Sequence, residues 1–410
     1  MTDIASIVRL LVILLLIALI VILITRRLSV PYTLGLVVIG LLMSFLGDIS
    51  AIHLSPDLVL FVFLPALLFE GSWSIEVKRL RTNWLTVFLL AVPGLLFSLV
   101  LIAVPLYFFT VLNWGEAFLL GAILSPTDPV AVLGLFRQLK VNQDLSTIIE
   151  GESLFNDGVA GSLYQIFLVI VLLSVHGHSV VNAQTWLNSI GMFVLEAGGG
   201  IAIGLICGFL ISQIVKAIED VLIETTITIV SAYGVYILAD ALHTSGILAV
   251  ILTALLLGSY GRRRGMSEAT REGVDNFWST IAFIANALLF LLVGIQLNPI
   301  GFFSSQNLTS FLLTAGISIG TVLLSRLIMA LIVHRTIPPA VGTLLPSWRF
   351  LIFWSGLRGA LSLALVLALP MDIPDRESLI FSTYAVVLFT LLVQGFSLRA
   401  ILKRLPAVSG

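Results

Sequence analysis

The run Ala122-Ile123-Leu124-Ser125-Pro126-Thr127-Asp128-Pro129-Val130-Ala131-Val132 decides the fold. On both sides of it the chain is apolar, from about residue 116 to 137, and its middle holds two prolines, an acid and hydroxyls. Each proline removes a backbone donor and pushes the residue before it out of helical geometry. A helix is therefore expected to unwind at 125–129 and to turn free carbonyls and the Thr127 hydroxyl inward. Non-helical backbone is tolerated at membrane depth only where protein or a water-filled cavity satisfies it.

The rest of the chain makes a membrane the natural setting. Of its 410 residues 59% are hydrophobic and 10% charged, against roughly 25% charged in an average soluble domain. Apolar runs of about 18 to 25 residues recur from end to end, each long enough to cross a hydrocarbon core about 30 Å thick. Spans are predicted at about 4–25, 31–47, 55–74, 83–109, 116–137, 144–174, 186–215, 221–240, 244–261, 275–297, 307–334, 349–370 and 377–400. This gives an all-α integral membrane protein of about thirteen transmembrane helices. Ile4 to Ile24 is too long for a signal-peptide core and has no small-residue cleavage site before Arg26 and Arg27, so it is kept as the first span. Residues 1–400 form one transmembrane domain, and 401–410 a short cytoplasmic tail.

Charge sets the orientation. Of the 21 Lys and Arg residues, all but Arg9, Arg326, Arg358 and Arg376 fall in the loops after odd-numbered spans or at the C-terminus. Positive loops are held in the cytoplasm, so the N-terminus is expected outside and the C-terminus inside. Two six-helix halves, spans 1–6 and 8–13, would then be inverted repeats. The third span of each carries the same tetrapeptide, Ala66-Leu67-Leu68-Phe69 and Ala287-Leu288-Leu289-Phe290, and the fifth span of each, spans 5 and 12, is interrupted by helix breakers. Paired interruptions point to a transport site. The net charge of -1 and the absence of a basic tract argue against nucleic-acid binding, and the single Cys207 cannot form an internal disulfide.

Ionisable residues inside a membrane are costly and usually pair or line a pathway. The sixth span opens Glu150-Gly151-Glu152-Ser153-Leu154-Phe155-Asn156-Asp157-Gly158. Ser153 lies one turn from Asp157 on one face, whereas Glu152 looks about 140° away. Asp157, Ser153 and the unwound Thr127–Asp128 segment are a candidate oxygen site for a hard cation. Glu152 needs a counter-ion, and Arg326 in the eleventh span is the candidate. A carboxylate out of water cannot stay charged and unpaired cheaply, so Asp157 is expected to hold either a proton or a sodium ion. Glu70, late in the third span, either completes the ion site or is an interfacial acid beside Ser72 and Trp73. Arg358, where Gly356 and Gly359 loosen the twelfth span, is expected to give electrostatic support at a broken helix. Glu196 beside Gly198-Gly199-Gly200 suggests close helix packing, and His176, His178, Asp240 and His243 read as loop residues.

These motifs, with Gly356-Leu357-Arg358-Gly359-Ala360, resemble the sodium/proton antiporters of the NhaP and eukaryotic exchanger type. The resemblance implies a homodimer in a cell membrane, with interleaved dimerisation and mobile core subdomains and crossed, partly unwound helices 5 and 12. It implies Asp157 as the carboxylate shared by ion and proton, Ser153 and Thr127 as ligands to Na+ or Li+, and Asp128 within the site. Asn156 would be a stabilising neighbour, Glu152–Arg326 a structural ion pair, and Glu70 a group approaching the ion directly or through water. The Asn-Asp order resembles the electroneutral branch, one proton for one sodium. No cofactor is expected beyond the transported ions, and the chain departs from animal exchangers in ending without a regulatory domain. The rivals are potassium/proton exchange and a cation channel. An intramembrane enzyme would need a nucleophile with a base or a metal cluster, and the sequence shows no membrane-embedded His or paired catalytic set.

Overall fold

The computed structural model describes residues 4–28, 31–45, 57–175, 183–262, 265–296, 308–333 and 346–404. His176 and His178 lie outside these, as do Arg263, Arg264 and Arg335. Every element among the described residues is helical: α1 (Ile4–Leu28), α2 (Tyr32–Ser44), α3 (Leu58–Ser74), the short α4 (Val77–Thr82), α5 (Trp84–Phe109), α6 (Trp114–Leu124), α7 (Val130–Leu139), α8 (Gln143–Val175), α9 (Ala183–Val215), α10 (Val221–Ala241), α11 (Gly246–Gly261), α12 (Glu268–Gln296), α13 (Leu308–Val333), α14 (Pro346–Trp354), α15 (Ala360–Leu367) and α16 (Arg376–Leu402). Eight of them, α1, α5, α8, α9, α10, α12, α13 and α16, are long and apolar enough to cross a membrane. Five more, α2, α3, α6, α7 and α11, are shorter apolar helices.

Sequence explains where these helices bend and stop. π-Helical turns at Leu58–Phe63 and Leu90–Gly94 lie beside Pro65 and around Pro93. A widened turn absorbs the carbonyl that a proline leaves without its i+4 donor, so α3 and α5 continue instead of breaking. The predicted fifth span does break. α6 is started by a capping box in which Asn113 and Glu116 each accept the other's backbone N–H at 3.0 and 2.9 Å, and it stops where Pro126 follows Ser125. The chain resumes as α7 at Val130 and ends on Lys140 in the left-handed region, φ 52°. The predicted twelfth span divides likewise into α14 and α15, separated by residues 355–359.

Close backbone contact fixes the packing around this centre. α2 runs against α12 at Gly40 and Gly294, where a Cβ on Gly40 would lie 2.8 Å from Gly294 Cα and the reverse. Only hydrogen fits at either position, and the two helices approach as small-residue interfaces allow. α12 also holds α3: Trp278 packs on Phe69 in a tilted arrangement with centroids 4.4 Å apart, and Asp275 accepts from Trp73 Nε1 at 2.7 Å and from Arg262 Nη2 at 2.5 Å. These contacts pin the end of α3 that carries Glu70. Elsewhere α1, α9 and α10 leave long apolar faces uncovered, with Leu195 and Leu222 more than 70% exposed.

Candidate functional site

The two interrupted helices meet at their unwound segments. Asp128 N–H donates to Leu357 O at 2.8 Å, and Arg358 Nη1 donates to Pro126 O at 3.1 Å. Asp128 then uses its carboxylate as a double cap: Oδ1 accepts from Val130 N at 3.0 Å, the start of α7, and Oδ2 from Ala360 N at 3.3 Å, the start of α15. Both helix N-termini present free N–H groups and a partial positive charge, which a carboxylate between them satisfies. A side chain at Gly359 would collide with that carboxylate. Residues 355–359 unwind without a proline because two glycines lower the helix propensity. The Arg358 N–H finds Thr390 Oγ1, at 3.1 Å, in place of a helical carbonyl.

α8 supports this crossing from behind. The Ser153 hydroxyl donates to Thr127 O, and Asn156 Nδ2 donates to Thr127 Oγ1 at 2.8 Å. One turn on, Asp157 faces a cavity of about 320 Å³ that Ser153, Thr127, Asp128 and Glu70 also line. Its carboxylate accepts no hydrogen bond from any described residue, while the charges of Asp128 and Arg358 act on it. Glu152, on the opposite face of α8, forms a two-pronged ion pair with Arg326, Nη1 to Oε1 and, at 2.9 Å, Nη2 to Oε2. Arg326 Nε donates to Ile352 O at 2.8 Å, so both charges are buried with their donors engaged.

Of the nine residues singled out from sequence, five, Asp157, Ser153, Thr127, Asp128 and Glu70, share the cavity. Asn156, Glu152, Arg326 and Arg358 do not line it and are buried. Six other polar residues line it: Tyr32, Arg137, Glu150, Ser279, Asn286 and Ser362. Glu150 stands inside the quoted motif and accepts from Ser74 Oγ at 3.5 Å. Asn286 interrupts the apolar run Ala285 to Val293, which was the only available signal for it. Among the described residues no group of three or more His, Cys, Asp or Glu side chains could hold a metal ion as a cluster.

Comparison with known proteins follows the same lines. The family profile described as "Sodium/hydrogen exchanger, transmembrane" matches residues 13–404. The chain is 39% identical over 384 residues to the Na(+)/H(+) antiporter ApNhaP of Aphanothece halophytica, covering 93% of this chain and 70% of that one. It is 34% identical over 412 residues to the Na(+)/H(+) antiporter NhaH of Halobacillus aidingensis, covering 96% and 97%. In three dimensions it matches the sodium proton antiporter MjNhaP1 of Methanocaldococcus jannaschii with a TM-score of 0.75 at 17% identity, over 98% of both chains.

Proposed function

The chain belongs to the sodium/hydrogen exchanger family, and as such it is a multi-pass membrane transporter that exchanges sodium ions for protons; we propose that the exchange runs through a single carboxylate, Asp157. The observation that carries this reading is a carboxylate left without hydrogen-bond donors beside two broken helices, at the wall of a cavity about 320 Å³ in volume. A carboxylate with no protein donor to hold its charge favours either a proton or a cation. Sodium and proton therefore compete for it, and exchange follows if either loaded form changes sides and the empty, charged form does not. Thr127 and Ser153 serve as neighbouring ligands, and Glu70 stands nearer the mouth. The Asp128 carboxylate is the anchor of the crossing, and Glu152–Arg326 is the fixed ion pair behind it.

The architecture is read as thirteen spans in two inverted halves, with α6–α7 and α14–α15 each counting as one interrupted crossing. Arg137 and Glu150 line the cavity beside the α7–α8 connection, a face that the Lys and Arg bias assigns to the cytoplasm. This conformation is therefore the inward-open one of an alternating-access cycle. The uncovered apolar faces of α1, α9 and α10 suit lipid and a second copy of the chain. Exchange of one proton for one sodium or lithium ion is the reading that the Asn156-Asp157 order supports, and potassium/proton exchange is not favoured by the relatives.

Purified protein in proteoliposomes, given sodium, lithium or potassium gradients and a probe of internal pH, tests this. Sodium and lithium gradients should drive proton movement, and Asp157→Asn should abolish it while the protein stays folded. Exchange at the normal rate by Asp157→Asn would overturn the assignment.

A further inference from the structure

The cavity has a second polar wall that the ion site described above does not use. Asn286 on α12 and Ser362 in the first turn of α15 both line it, and the two helices touch. Asn286 is 7% exposed and Ser362 1%, yet neither Asn286 Oδ1 nor Ser362 Oγ has a hydrogen-bond partner among the described residues. Buried polar atoms are normally paired, and an exception calls for an unseen partner such as water or an ion. Two such atoms on the lining of one cavity, from helices that touch, call for the same kind of partner.

The Asp157 side of the site cannot complete a cation's coordination by itself. The Ser153 hydroxyl already donates its hydrogen bond to Thr127 O, and the Thr127 hydroxyl already accepts from Asn156. What remains there is the Asp157 carboxylate with one or two hydroxyl lone pairs, fewer than the six or so oxygens a hard cation gathers. A cavity of about 320 Å³ has room for several waters. An ion entering it can keep much of its shell. Waters on a cation turn their hydrogens outward, so the groups that hold them must be acceptors, which an amide oxygen and a serine hydroxyl are.

We propose that Asn286 and Ser362 hold the water shell of the cation bound at Asp157 and so set the affinity and size preference of the exchange. The proposal rests on the assignment of Asp157 as the ion carboxylate. Both residues are positioning groups that reach the ion through water. Losing one of these contacts removes about 1 kcal/mol of binding, which is roughly fivefold in affinity.

The test is the KM for sodium and for lithium in proteoliposomes at fixed pH, for Asn286→Leu and Ser362→Ala, with the conservative Asn286→Gln and Ser362→Thr. The expected result is a KM for sodium raised roughly fivefold in the first pair, a different factor for lithium, a smaller change in maximal rate, and partial recovery in the second pair. Unchanged KM values, or a fall in maximal rate with the same KM ratio for both ions, would overturn it. Ser362→Ala deletes one hydroxyl and carries the test if Asn286→Leu accumulates poorly. Asp157→Asn is measured alongside: if it is inactive while the four variants bind normally, this proposal alone fails, and if it is active the assignment beneath it fails.

Discussion

Asp128 reaches across the crossing to Ala360, accepting its backbone N–H at 3.3 Å with one oxygen while the other holds Val130 at 3.0 Å. One side chain thus ties the start of its own neighbouring helix to that of a helix 232 positions further along the chain. Asp128→Asn keeps the shape but replaces one acceptor by an NH2 group facing an N–H, and it removes the charge that both helix ends favour. Charge-assisted bonds of this type contribute about 2 kcal/mol. The variant should lose about that much in thermal or denaturant unfolding in detergent, and exchange should fall at least about tenfold. Wild-type stability together with a raised sodium KM would instead make Asp128 a direct ion ligand.

The Glu152–Arg326 pair makes a different prediction, because both members are buried. Removing one partner leaves a lone charge in the core, which costs about 3–5 kcal/mol, whereas replacing both by apolar groups of similar volume is often neutral. Glu152→Leu and Arg326→Met should each destabilise the protein in a thermal melt. The double variant should melt above either single one. If it melts below both, the pair is not acting as a structural unit.

The parts of this site that were legible in the sequence are those written in local chemistry. Pro126 and Pro129 announce a break whatever lies nearby, and the acid-poor surroundings of Arg326 leave Glu152 as its partner. The double cap by Asp128 was not legible, since its second acceptor contact depends on how two distant breaks are laid over each other. Asn286 was hidden for a similar reason: on an apolar helix a lone amide reads as packing until the cavity it borders is known. Glu150 stood in plain view inside the motif, but helical geometry alone does not say which of three neighbouring acids reaches the opening. The π-turns of α3 and α5 depend on whether tertiary packing keeps a proline-bearing helix continuous, which sequence near Pro65 and Pro93 does not encode.

Gly359 gives a steric prediction. A methyl group there would overlap the Asp128 carboxylate, and that carboxylate cannot withdraw without releasing Val130 or Ala360. Gly359→Ala should therefore reduce exchange at least about tenfold, by spreading the two unwound segments. A Gly316→Ala control, at a glycine with nothing within 4 Å of an added Cβ and away from the cavity lining, should behave as wild type in the same proteoliposome assay. Equal rates for the two variants would mean that the crossing is looser than these contacts imply.

Competition for one carboxylate fixes how exchange must depend on pH. A proton bound at Asp157 excludes sodium, so lowering the pH on the side where sodium binds should raise its apparent KM while leaving the rate at saturating sodium much less affected. Where the protonated form dominates, each pH unit should raise the KM by about tenfold, one proton per site. The sign follows from the proton being the competitor: acid favours the proton-loaded form and weakens sodium binding, and alkali does the reverse. At the other extreme, too few protons are available for the return step, so turnover should fall at high pH even with sodium saturating, which gives a bell-shaped rate profile. Initial rates of sodium uptake measured over a grid of pH and sodium concentration separate this from two independent sites. With separate sites, the KM for sodium would stay flat across the pH range in which the rate changes.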